Sequence, residues 1–311
     1  MINSPIFYMG NKYKLLEQLI ILFPKDIDTF YDLFGGSGTI SLNVKANKII
    51  YNELNKNVFE LLKLFKENEP NTIINHIETR IKEFKLPRVS CDVRTKHYQE
   101  EYKQEHNKNY LHFRKYYNES EKNYLDLYTL TFFSFCNLIR FNSKSEFNMP
   151  FGNRCFLNEH KALIEYCCYK MKKINIKLQN MEALSYIEKN INEFSQNDFI
   201  YLDPPYTNTL AVYNEKRAFG GWNIENDLKL FELLERLDKK GIKWGLSNVF
   251  KNKEFINEHL IEWCKKNKWN VNHLVCEYAS LGKGNSNTDE VYICNYNTPK
   301  QITLFDIIEE E

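Results

Sequence analysis

The chain has 311 residues, 43% of them hydrophobic and 27% charged, enough to bury a substantial core, which excludes a short peptide scaffold and a wholly disordered segment. Its apolar runs fall short of the roughly 20 residues that a membrane span needs, and the N-terminus lacks the charged-then-apolar pattern of a signal peptide, so a cytoplasmic location is expected. The formal net charge of +1 points to no partner, but 13 Lys/Arg against 7 Asp/Glu between 102 and 177 leave that stretch at +6 and the remainder at −5, the distribution a polyanion-binding insertion needs.

In chain order, 30–43 reads as a short apolar strand, a glycine-rich turn and a helix, and 49–51 as a second strand followed by a helix through Val58, Leu61, Leu62 and Phe65. Strand, helix, strand opens a βαβ unit and hence a parallel sheet. For about a hundred residues the pattern then lapses into helical periods near 71–85, 102–117 and 121–140, with an irregular polar loop at 86–101 and no convincing strand. The α/β rhythm resumes with strands at 174–178 and 199–202, helices at 182–194 and 224–239, a strand at 242–246, a helix at 252–265, and strand-like runs at 270–277 and 290–296. The organisation expected is an α/β sheet domain, residues 1–68 and 174–311, interrupted by a mainly helical basic insert at 69–173.

Other features suit ordinary structural roles. Cys91, Cys136, Cys155, Cys167, Cys168, Cys264, Cys276 and Cys294 form no CxxC pair, so reduced, mostly buried thiols without a metal are expected. The seven histidines show no HxxxH or HExxH spacing. The basic run at 265–268 reads as a solvated helix end, and the acidic tail at 306–311 as frayed or weakly helical.

Three constellations carry chemistry. Asp32-Leu33-Phe34-Gly35-Gly36-Ser37-Gly38 closes a strand and opens a helix, so its glycines bring backbone N–H groups close to a ligand. Ser41 stands where a dinucleotide fingerprint needs its third glycine, which weighs against a nicotinamide cofactor, and no GK[ST] ends a P-loop. Glu53, 15 residues after Gly38, sits at the tip of the second strand, where a carboxylate can accept both hydroxyls of a ribose. In Asp203-Pro204-Pro205-Tyr206 the prolines stop a buried strand at its C-terminal edge. Acidic and carbonyl acceptors without competing N–H donors, beside an aromatic face, form a receptor for an amino group on a planar ring.

With these residues in view, the chain resembles the DNA adenine methylase family of adenine-specific N6 DNA methyltransferases. The resemblance covers Tyr8-Met9-Gly10-Asn11-Lys12, the segment from Asp32 to Gly38, that from Arg140 to Gly152, and Asp203 to Tyr206. It implies the Rossmann-like, mostly parallel sheet of a class I methyltransferase, S-adenosylmethionine as methyl donor, no metal, and a helical target-recognition insert. It further implies a monomer on double-stranded DNA, with any cognate restriction endonuclease acting separately.

Carried over by position, Tyr8, Lys12, Asp32, Phe34, Gly36, Gly38, Glu53 and Asp203 would line the cofactor pocket, with Asn180-Met181 loosely matched to the border of the cofactor adenine. Asp203, Pro204, Pro205 and Tyr206 would hold the target base, and Arg140, Phe141, Asn142 and Lys144 would meet DNA. Phe141 stands where methylases of GATC tend to carry Tyr, and Lys144 where they tend to carry Arg. The stretches at 207–213 and 220–222 also depart from those enzymes, which leaves the target sequence open. The other readings are N4-cytosine methylation, methylation of RNA or of a protein glutamine, a non-catalytic nucleotide-dependent DNA-binding regulator, and a nicotinamide-dependent oxidoreductase.

Overall fold

The computed structural model describes residues 1–88, 96–206, 221–275 and 288–299, with 96–101 described for the backbone alone. Cys91, Cys276, the stretch at 207–220 and the tail at 306–311 lie outside the described residues. Among the described residues, eight strands form one sheet: β1 (Thr29–Asp32), β2 (Lys48–Asn52), β3 (Ile176–Gln179), β4 (Phe199–Leu202), β5 (Lys243–Asn252), β6 (Phe255–Ile256), β7 (Asn270–Leu274) and β8 (Thr288–Cys294), in the order β3-β2-β1-β4-β5-β8-β7 with β6 on β5. The first five strands of this path pair in parallel, and β8 runs antiparallel between β5 and β7. This is the Rossmann-like, mostly parallel sheet that was expected. Its strand order reverses between β1 and β4, the switch point outside which such sheets bind ligands.

Strand periodicity divides the core in two. Tyr51, Phe199 and Tyr201 face one side of the sheet, whereas Ile50, Ile200 and Leu202 face the other. The second side is covered by α8 (Ala183–Asn190), α9 (Ile224–Lys239) and α10 (Glu258–Asn267). Against the first lie α1 (Leu16–Leu22) and α3 (Lys56–Glu67), and the same apolar cluster continues without a break into the inserted helices α4 (Pro70–Glu83), α5 (Lys96–Glu119), α6 (Tyr124–Phe133) and α7 (Asn158–Lys173). The helical insert therefore shares one core with the sheet. A buried ionic knot fixes α4 to α6: Asp126 accepts from Arg80 Nε at 2.7 Å and Nη2 at 3.2 Å and pairs with His76 Nε2 at 2.7 Å.

Four expected elements end or begin elsewhere. The helix expected at 121–140 stops at Phe133, because the chain turns through Cys136 and Asn137 at positive φ and folds 140–152 back as a hairpin against Ser134. The strand expected at 242–246 runs on through Asn252, where antiparallel pairing with β8 offers hydrogen bonds that a helix at 252–257 would forfeit, and the helix begins only at Glu258. Part of the expected polar loop at 86–101 is helical from Lys96. The six described cysteines are free, five of them buried. No helix among the described residues is long and apolar enough to cross a membrane.

Gly245 of β5 lies beneath the ring of Tyr292, whose hydroxyl bonds that of Tyr296 at 2.6 Å; a Cβ at residue 245 would stand 2.0 Å from Tyr292 Oη. Gly245→Ala is expected to destabilise the fold by about 1–3 kcal/mol through overpacking. Urea unfolding should show a lower midpoint at an unchanged slope, and an unaltered midpoint would refute the packing argument.

Candidate active site

Parallel pairing delivers the chemistry of several distant segments to one edge. Asp32 ends β1, Asn52 ends β2 and Leu202 ends β4, so the residues that follow them open into a single cleft of about 880 Å³, within the size range of ligand sites. Its walls include Tyr8, Lys12, Asp32, Phe34, Gly36, Glu53 and Asp203 of the expected cofactor set, and all of Asp203-Pro204-Pro205-Tyr206. Arg140, Phe141 and Asn142 reach the same cleft from the hairpin, whereas Gly38 and Lys144 are not among its lining residues.

The glycine turn is built for close approach. Gly36 adopts φ +51° beneath the Tyr8 ring, and Gly38 adopts φ +78° as the cap of α2 (Thr39–Asn43), where a Cβ would meet Leu62 at 2.9 Å. Gly38 thus shapes the turn and its packing. Tyr51 Oη donates to the Gly36 carbonyl at 2.7 Å, and Gly36 N–H donates to Glu53 Oε2 at 2.8 Å. The other oxygen of Glu53 accepts from Asn55 N–H at 2.7 Å, so two backbone donors fix the carboxylate in the cleft and each oxygen retains a lone pair. Asn180 Nδ2 caps the Glu53 and Leu54 carbonyls at 2.6 and 3.0 Å, and Met181 lines the cleft. Ser41, in the place of a third glycine, donates its hydroxyl to Asp32 Oδ2 at 2.6 Å.

Asp203 is the hub of the other half. Its Oδ2 pairs with Lys12 Nζ at 2.7 Å, and its Oδ1 accepts from Tyr206 Oη at 3.2 Å. The Lys12 ammonium also lies 5.1 Å over the Tyr206 ring. Burial pushes the Asp203 carboxyl up while the charge of Lys12 pulls it back. Burial alone would lower Lys12, but Asp203, with smaller help from Tyr201 and Glu290, more than reverses this and holds the ammonium above its ordinary range. Pro204 is buried and Pro205 half-buried behind the ion pair.

Two of the residues expected to meet DNA also hold the hairpin in shape. Asn142 spends its side chain on the turn, its Oδ1 accepting from Lys144 N–H at 2.9 Å and Glu146 N–H at 3.0 Å, and its Nδ2 donating to Glu146 Oε2 at 2.7 Å. Arg140 braces the base of the hairpin through Asn148, at 2.9 Å to Oδ1 and 3.1 Å to the carbonyl. Phe141 packs on Phe147 with ring centres 5.7 Å apart, while Lys144 projects to solvent.

Two aromatic residues went unmarked in the sequence. Phe135 lines the cleft yet is 54% exposed, held outward by the turn at Cys136 and Asn137. Its signal, an aromatic after an apolar helix, is one that core residues share. Trp222 meets Phe34 edge to face at 5.3 Å and is fixed by the buried Asp227, which accepts from Trp222 Nε1 at 2.7 Å and pairs with His259 at 2.9 Å. That chain spans 37 positions, and only packing of α9 on α10 assembles it.

Burial pushes the Asp32 carboxyl up to about 7, opposed by the Ser41 hydroxyl and reinforced by repulsion from Asp203 and Glu53. Below the ordinary value of 3.8 the group is protonated in the folded and unfolded chain alike; from there to about 7 only the folded chain keeps the proton. Its contribution to stability is therefore present at acid pH and lost as pH rises through that window. Asp32→Asn should gain stability relative to the parent as pH rises from 4.5 to 8, read by urea unfolding; a difference that does not vary with pH would refute this.

Residues 8–274 match the family described as D12 class N6 adenine-specific DNA methyltransferase. The modification methylase StsI of Streptococcus sanguinis is 37% identical over 306 residues, covering 96% of this chain and 43% of that protein. The type II methyltransferase M.FokI of Planomicrobium okeanokoites is 38% identical over 298 residues, covering 95% and 43%. The chain spans less than half the length of these two relatives. The DNA adenine methylase of Escherichia coli K12 is 25% identical over 249 residues, covering 78% of each chain. With a match that runs from the Tyr8 segment past Asp203-Pro204-Pro205-Tyr206, the chain belongs to the family of D12 class N6 adenine-specific DNA methyltransferases.

Proposed function

We propose that the protein methylates N6 of an adenine flipped out of duplex DNA, with S-adenosylmethionine as donor. The observation that carries this reading is the convergence of an acceptor-only Asp203-Pro204-Pro205 edge, a glycine cradle and an arginine-bearing hairpin on one cleft.

The residues present fit that donor. Three carboxylates, Asp32, Glu53 and Asp203, line a space in which Lys12 is ion-paired with Asp203, so a positively charged cofactor is favoured there. Glu53 keeps lone pairs for a ribose diol, and Gly36 under Tyr8 admits a close ligand. Tyr8, Lys12, Asp32, Phe34, Gly36 and Glu53 would hold the cofactor. When bound it supplies a methyl group activated by a sulfonium charge.

The chain's own residues do the rest. Asp203 and the Pro204 carbonyl would accept the two N6 hydrogens and so orient the nitrogen lone pair away from the sheet edge. Lys12 opposes the effect of burial and favours the ionised form of Asp203, the form able to stabilise positive charge arising on the amine. Tyr206 offers a ring face for the base, its hydroxyl already anchored on Asp203.

The insert at 69–173 would serve target recognition, meeting DNA through Arg140 and Lys144. Phe135, exposed at the mouth of the cleft, is better presented as an apolar wedge than Phe141, which is spent on Phe147. In this reading the chain works as a monomer on cytoplasmic DNA, and the modification methylases among its relatives support a place beside a separately acting restriction endonuclease.

Incubation with labelled S-adenosylmethionine and unmethylated plasmid, followed by nucleoside analysis, should give N6-methyladenine; label in N4-methylcytosine or in RNA would overturn the assignment of acceptor. Asp203→Ala should lower turnover at least about 100-fold, the scale of losing a preorganised electrostatic contact. Phe135→Ala should weaken productive DNA binding while leaving cofactor affinity within about twofold; parallel loss of both would remove Phe135 from the DNA face.

A further inference from the structure

The hairpin at 140–152 is held from outside the cleft by one face of α5. Tyr110, Arg114 and Asn118 are spaced four residues apart and so lie along a single stripe of that helix. All their hydrogen bonds to the hairpin go to its backbone. The Met149 carbonyl accepts from Tyr110 Oη at 2.9 Å and from Arg114 Nη1 at 2.8 Å. Asn118 Nδ2 donates to the Phe147 carbonyl at 3.0 Å, and Phe147 N–H donates to Asn118 Oδ1 at 2.8 Å. The Asn118 amide thus pairs with the returning limb as a neighbouring strand would.

We propose that Tyr110, Arg114 and Asn118 are positioning residues for target-sequence discrimination, fixing the register in which the hairpin presents its tip to bases. The inference builds on the reading that this hairpin meets DNA. Phe147 and Met149 alternate along the limb and both are buried, so a slip of one residue would expose them and bring Asn148 to the clamp. The tip is left unclamped: Ser143, Lys144, Ser145 and Glu146 are exposed, and the two serines line the cleft. None of the three clamp residues lines the cleft, so their influence on substrate travels through the hairpin. Base-edge hydrogen bonds tolerate little displacement, whereas phosphate contacts give affinity without reading sequence. Loosening the clamp therefore acts on discrimination before it acts on cofactor binding.

The test compares single-turnover methylation of a duplex carrying the mapped site with duplexes altered at one base pair, beside S-adenosylmethionine affinity. Asn118→Leu should reduce the ratio of cognate to altered-site rates about tenfold, within the range that one mismatch commands, with cofactor affinity within about twofold. Asn118→Asp, which keeps only the acceptor, should fall between. Tyr110→Phe combined with Arg114→Met probes the same clamp should Asn118→Leu fail to fold. Arg140→Ala and Lys144→Ala, at the hairpin itself, separate the two ideas. If they change discrimination while the clamp variants leave it intact, the clamp inference is overturned and the hairpin reading stands. If none of the five changes it, the hairpin reading fails and takes the clamp with it.

Discussion

Three carboxylates are forced to one sheet edge by the parallel pairing of β1 with β2 and β4. Like charges drawn together out of water repel strongly, and the surrounding structure is arranged around that cost. Asp32 retreats into the core on the Ser41 hydroxyl and holds its proton more tightly, Glu53 is tied by two backbone N–H groups, and Asp203 draws in Lys12. Lys12 lies far from Asp203 in sequence, so this ion pair also anchors the N-terminal segment and brings Tyr8 over the glycine turn. A cationic ligand would relieve the remaining repulsion, which links the stability of the edge to the chemistry proposed for it.

A second constraint comes from the insert. β2 and β3 are parallel sheet neighbours although about 120 residues separate them, so the intervening chain must leave the sheet and return. It does so as helices whose apolar faces merge with the core against β1, β2 and β4. The hairpin is fixed by that shared core and by α5, and it faces the cleft as part of the same packed body. Register at the hairpin and register at the sheet are set by packing of the same kind, alternate residues buried on one side.

Much of the site was legible residue by residue. Gly36, Glu53 and Asp203 announce themselves because each follows an apolar run and carries a side chain, or the lack of one, suited to a strand end. Asn142 and Arg140 were legible in position but not in their contacts, since hydrogen bonding inside the hairpin depends on which limb residues face one another. Phe135 and Trp222 were hidden among the many aromatic residues of the chain. One faces the cleft only because a turn at positive φ holds it out of the core, the other because Asp227 holds its indole in the wall.

Periodicity and punctuation along the chain determined the α/β class, the interruption of the sheet by helices and the strand ends that carry acids, because these are properties of neighbours in sequence. Strand length beyond the apolar run in β5, the helix stop at Phe133, the partner chosen by Asp203 and the clamp on the hairpin were decided only in three dimensions. Each depends on a hydrogen bond or ion pair between groups tens to hundreds of residues apart, and the strength of such a contact is set by burial that no local pattern encodes.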